Sequence, residues 1–137
     1  MQIEELSICN LQFSFCNLHL PHPVSVPSVS SVAKSSMPTR WLKLTVAYDG
    51  TAYAGWQVQL SEPTVQGVVE AAWHEITRET LRVTAAGRTD AGVHALGQVV
   101  GVATESQLST AELQRGLNAA LPDDVAIIAV EEARDGF

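Results

Sequence analysis

Behind Pro63-Thr64, the residues Val65, Val68, Val69, Ala72, Trp73 and Ile76 fall at helical spacing. That spacing predicts a helix from Thr64 to Glu79 whose apolar stripe belongs in a core. A second helix opens at Ser109-Thr110-Ala111-Glu112, where Ser and Glu have capping-box spacing. It buries Leu113, Leu117 and Leu121 and must stop by Pro122. Four strand-like stretches surround the helices. Trp41 to Tyr48 largely alternates, Leu81 to Ala86 and Leu96 to Thr104 lie between the helices, and Val125 to Val130 reads as a buried strand.

The order is therefore β-α-β-β-α-β, the ferredoxin-like pattern: an α+β fold in which helices cover one face of an antiparallel sheet. Such a fold says little by itself about function. With 137 residues, 46% of them hydrophobic, the chain can bury one sizeable core and hardly two. That core begins near Trp41. Between Leu6 and Ala33 there is no Asp, Glu, Lys or Arg, and Val24 to Ser36 is dominated by Ser, Val and Pro, which is linker composition. Residues 1–39 are expected to be a disordered extension or a misassigned start, with translation able to begin at Met37, and 40–137 to be the folded domain. Cys9, Cys16, His19 and His22 do not have zinc-site spacing, so no metal is expected.

A net charge of -7 argues against a generally basic nucleic-acid binder, because Lys and Arg supply most of the affinity for phosphate. Any RNA role must rest on a local site. The two cysteines staple nothing in the main domain, which fits a reducing compartment and makes the cytoplasm the expected location. Neither a secretory signal nor a transmembrane stretch is recognisable.

Chemistry concentrates in Ala86-Gly87-Arg88-Thr89-Asp90-Ala91-Gly92-Val93-His94, which joins the two central strand candidates and is too long for a minimal hairpin. Gly87 and Gly92 permit backbone conformations or close approaches that a side chain would block. If the chain leaves the strand extended, Arg88 and Asp90 project to the same face, and a guanidinium there favours the carboxylate form. The bland reading is an aspartate capping a turn beside a surface arginine, and spacing alone does not decide.

Gly87 to Ala95, with Gln98 just beyond, resembles the signature loop of the TruA family of tRNA pseudouridine synthases. Tyr48-Asp49-Gly50-Thr51-Ala52-Tyr53-Ala54-Gly55-Trp56-Gln57, Thr64-Val65-Gln66 and Gly116-Leu117-Asn118-Ala119-Ala120-Leu121-Pro122 are similar to further family segments, so the likeness runs from about Leu42 to Phe137. The resemblance implies conversion of uridine to pseudouridine in the anticodon stem-loop of tRNA, at positions 38 to 40, with no cofactor. It implies Asp90 as nucleophile, attacking either C6 of the base or C1′ of the ribose. Arg88 is implied as the partner of Asp90 and as the group that helps hold the nucleotide out of the stack. Tyr48, Asp49, Trp56, Gln57, Thr89 and His94 form the expected substrate-binding set, with His94 read as a local hydrogen-bonding residue and not as a general base.

Family members are about twice as long as this domain, build one sheet from two such halves, and act as homodimers. The expectation is therefore an amino-terminal half whose carboxy-terminal counterpart is absent, and which is inactive on its own. The competing reading is a non-catalytic RNA-binding or assembly module on the same ferredoxin-like frame.

Overall fold

The computed structural model describes residues 38–136. The expectations for the amino-terminal extension, its alternative start and the Cys9, Cys16, His19 and His22 group fall on residues 1–37, outside the described residues. The elements run β1 (Arg40–Tyr48), a single 3-10 turn (Gly50–Ala52), α1 (Val65–Thr77), β2 (Thr84–Ala85), β3 (Ala95–Thr104), α2 (Thr110–Ala120) and β4 (Val125–Ala133). The sheet order is β2-β3-β1-β4, and every neighbouring pair is antiparallel. This is the α+β, ferredoxin-like arrangement that the element order predicts.

Period-2 alternation in β1 decides which face the helices cover. Leu42, Leu44, Val46 and Tyr48 are buried, while Trp41, Lys43, Thr45 and Ala47 are half-buried on the other face. Val65, Val69, Ala72 and Trp73 of α1 and Leu113 and Leu117 of α2 join that buried set, with Val100, Val102 and Ile127 from the flanking strands. Truncating any fully buried Leu here to Ala costs about 2–5 kcal/mol.

Both helix starts are closed by side chains, that of α2 by the box its spacing predicts. Thr64 caps α1 by accepting from the Gly67 amide. Ser109 and Glu112 form the reciprocal capping box of α2. α1 ends at Thr77, two residues short of the expected Glu79, because Arg78 takes the left-handed conformation at φ 63°.

Two strands differ in length from expectation. Leu81 to Ala86 yields a ladder only at Thr84 and Ala85. Side chains of α1 hold the residue just before this ladder: the Val83 amide donates to the Glu70 carboxylate, and the Val83 carbonyl accepts from the Gln66 amide, both at 3.0 Å. β4 instead runs three residues past Val130, where Glu131 and Glu132 pair with Lys43 and Arg40 of β1. Its outer edge is partly covered at Ile127, whose amide and carbonyl both bond the Asn118 side chain of α2, at 2.8 and 3.0 Å.

Candidate active site

The site is built outward from the start of α1. A helix leaves its first four amides without intrahelical acceptors. Here the Val65 amide donates to the Gly55 carbonyl at 3.2 Å, and the Gln66 amide to the Trp56 carbonyl at 3.0 Å. The Gly67 and Val68 amides are taken by Thr64. The helix start therefore anchors residues 54–56. Gln66, itself buried, reinforces this by accepting from the Val58 amide at 3.0 Å.

The anchored segment in turn carries the loop between β2 and β3. Residues 50–56 run antiparallel along 89–94 through three hydrogen bonds. The Trp56 amide donates to the Thr89 carbonyl at 3.0 Å, the Gly92 amide to the Tyr53 carbonyl at 3.2 Å, and the Gly50 amide to Nδ1 of His94 at 3.0 Å. A fourth bond joins the Tyr48 and Thr89 hydroxyls at 2.7 Å. Tyr48 and Trp56 stack at a tilt beneath, with ring centroids 6.1 Å apart, and both are buried.

Close approach of two backbones requires glycine on one of them. A Cβ at Gly55, whose φ is +100°, would lie 2.7 Å from the Thr89 carbonyl oxygen, and a Cβ at Gly50 would overlap the Val93 carbonyl. The sequence reading placed the glycine requirement within Gly87 to Gly92. Gly92 does have φ +77° as third residue of the Asp90–Val93 turn, closed by the Val93 amide on the Asp90 carbonyl at 3.2 Å. Gly87 has ordinary φ and open space around it. Two tyrosines, a tryptophan, an acid and two glycines suit Tyr48 to Gln57 either to stacking on RNA or to packing against the active-site strand, and the described structure has the packing, with Gly50 and Gly55 at the closest approaches.

Thr89 turns inward to Tyr48, and its neighbours Arg88 and Asp90 are left exposed. Among the described residues neither the Arg88 guanidinium nor the Asp90 carboxylate has a hydrogen-bond or ion-pair partner. They are not paired with each other here. Gln98 fixes the loop's first residue through its amide and the Gly87 carbonyl.

Each expected residue thus has a definite place. Arg88, Asp90, Gln57, Asp49 and His94 are exposed, Thr89 is half-buried, and Tyr48 and Trp56 lie underneath. Arg88 lines a depression of about 230 Å3 with Trp56, Gln57, Gln66, Arg82 and Thr84. Asp49 and His94 line another, of about 450 Å3, with Leu96, Asp123 and Asp124. One side of the loop is basic and the other acidic. Hydrogen bonds from the Thr51 hydroxyl, then from its amide, hold the Asp49 carboxyl below its ordinary range. Burial, and then the Asp124 carboxylate that accepts its proton at 2.6 Å, pushes the Tyr53 hydroxyl up to about 12. Among the described residues no group of His, Cys, Asp and Glu side chains is arranged to hold a metal, and no helix is long and apolar enough to cross a membrane.

A family model described as tRNA pseudouridine synthase matches residues 44–135. A protein of Roseiflexus sp. strain RS-1 named tRNA pseudouridine synthase A is 49% identical over 98 residues, covering 72% of this chain and 36% of that protein. Proteins of the same name from Geobacter sulfurreducens and Moorella thermoacetica are 46% identical over 98 residues and 52% identical over 97. They are covered to 40% and 39% of their length. The chain thus spans somewhat over a third of the length of these relatives.

Proposed function

The chain belongs to the tRNA pseudouridine synthase family, and from that premise we propose that it supplies the catalytic wall of an enzyme that isomerises uridine to pseudouridine in the anticodon stem-loop of tRNA. The observation that carries the proposal is the lacing of 50–56 onto 89–94, which leaves Arg88 and Asp90 exposed and, among the described residues, without partners on a loop held from below.

Asp90 is the nucleophile. Its carboxylate adds to C6 of the uracil or to C1′ of the ribose, the bond from N1 to C1′ breaks, and the base turns over while held. A new bond then forms from C5 to C1′, the C5 proton leaves, N1 gains a proton and the carboxylate is released. Atoms and electrons balance without any external oxidant or cofactor. Reaching a stacked uridine requires flipping it out, at roughly a few kcal/mol. The exposed Arg88 guanidinium is the group that enters the gap, and it pairs with Asp90 once RNA is present. Tyr48, Trp56 and Thr89 act from beneath by holding the loop, and Gln57 and Asp49 flank the bound nucleotide.

An exposed carboxylate on an open surface cannot hold a base through bond breakage, because reactive geometry and exclusion of water both need a second wall. The remainder of the relatives' length supplies that wall in this proposal, in a homodimeric cytoplasmic enzyme, and the 137-residue chain alone is inactive. The test joins this chain in frame to the remaining segment of the Roseiflexus relative and maps pseudouridine in unmodified tRNA. Pseudouridine confined to the anticodon stem-loop supports the proposal. RNA binding without any pseudouridine favours the non-catalytic module.

A further inference from the structure

Gly50 is buried, and its amide has one acceptor among the described residues, Nδ1 of His94 at 3.0 Å. The same Nδ1 lies 3.0 Å from Oδ1 of Asp49. One nitrogen cannot serve both partners. To accept from Gly50 it must present a lone pair, and to donate to Asp49 it must carry a proton.

The surroundings favour the first state. Asp49 already accepts from the Thr51 amide at 3.0 Å and hydroxyl at 2.6 Å. Its side chain and that of His94 are 61% and 60% exposed, so water screens their attraction. Gly50 has no such alternative, and a buried amide without an acceptor is the larger loss. The contact is also fixed sterically, because the carbonyl of Val93, next to His94, fills the space where Gly50 lacks a side chain.

We propose that His94 is a positioning residue whose neutral ring clamps the end of the Asp90 loop onto Gly50, and that protonation of Nδ1 redirects the ring to Asp49 and releases the clamp. The link to catalysis rests on the reading of Asp90 as the reacting carboxylate; the clamp itself does not. The depression that holds the ring is lined by Tyr48 and Asp49 at the end of β1 and by Asp123 and Asp124 in the turn before β4; the charged residues of its own loop are Arg88, which lines the other depression, and Asp90. A proton on Nδ1 removes the lone pair that the Gly50 amide uses, so protonation and the clamp exclude each other.

Nuclear magnetic resonance of the 15N-labelled 137-residue chain tests this without any assay of turnover. Near neutrality His94 should carry its proton on Nε2, and the Gly50 amide should be protected from exchange. On acidification the Gly50 and Asp90 amide resonances should move with the His94 ring, and Gly50 protection should fall. His94→Asn, which places an acceptor near the Nδ1 position, should keep the protection and abolish the acid transition. His94→Gln, which reaches toward the Nε2 position, should lower the protection roughly tenfold or more. A proton on Nδ1 at neutral pH, Gly50 protection unchanged in His94→Gln, or a Gly50 amide indifferent to the His94 titration overturns the proposal. If the clamp is found and Asp90→Asn leaves isomerisation intact, His94 keeps its structural role and the catalytic reading falls alone.

Discussion

The hydroxyls of Tyr48 and Thr89 lie 2.7 Å apart, joining the last residue of β1 to the residue between Arg88 and Asp90. The bond is partly buried and its strand end is paired to both β3 and β4, so it ties the loop to a central strand of the sheet.

Tyr48→Phe removes this bond and leaves the ring packing on Trp56. It should cost about 0.5–1.5 kcal/mol in chemical denaturation, the usual net worth of such a bond. In the fused protein it should lower kcat more than it raises KM, because the loop is misplaced and its exposed groups remain. An unchanged kcat would show that Thr89 holds its place without Tyr48.

Gly55 and Gly87 make a paired test of the lacing. Gly55→Ala puts a Cβ 2.7 Å from the Thr89 carbonyl at φ +100° and should destabilise by about 1–3 kcal/mol. Gly87→Ala meets nothing within 4 Å at ordinary φ and should stay within about 0.5 kcal/mol of the parent. Equal losses in urea denaturation would mean that the two segments do not touch as described.

Much of the frame was legible because its signals are local. The α1 stripe and the Ser109-Glu112 box depend on residues three or four apart, and both form. Leu81 to Ala86 pairs with β3 only at Thr84 and Ala85, and the contact of Val83 with Glu70 and Gln66 of the preceding helix is not marked in the local sequence. In the site, Gly87 to His94 stood out through its polar residues between apolar strands. The individual bonds that lace it onto 50–56 did not, because they join residues about forty apart and two of the three are between backbone groups.

Glu79 supplies a pH test of the fold. Burial raises its pKa, but hydrogen bonds from the Thr104 hydroxyl, the Trp73 indole and the Glu105 and Ser106 amides outweigh that and leave it below the ordinary glutamate range. A folded-state pKa below the unfolded value contributes stability above the unfolded pKa, and the contribution is lost as pH falls through the folded one. Glu79→Gln should therefore destabilise by about 1–2 kcal/mol at neutral pH, and the gap to the parent should close in acid. A gap that is constant down to acid pH would assign the loss to packing instead of charge.

Arg88→Lys keeps the charge and loses the planar fork. Since Arg88 is exposed and unpaired among the described residues, thermal stability should not change, while isomerisation by the fused protein should drop at least about tenfold. Parent-level turnover would remove Arg88 from the proposed flipping role.

Tritium release from C5-labelled uridine in unmodified tRNA follows the reaction directly, because the C5 proton leaves when the new glycosidic bond forms. The 137-residue chain alone should release none, and the chain joined to the remaining segment of the Roseiflexus relative should release tritium steadily. Asp90→Asn in the joined protein should abolish release while tRNA binding persists. Release at the parent rate from the Asp90→Asn protein would contradict the assignment of Asp90 as the nucleophile.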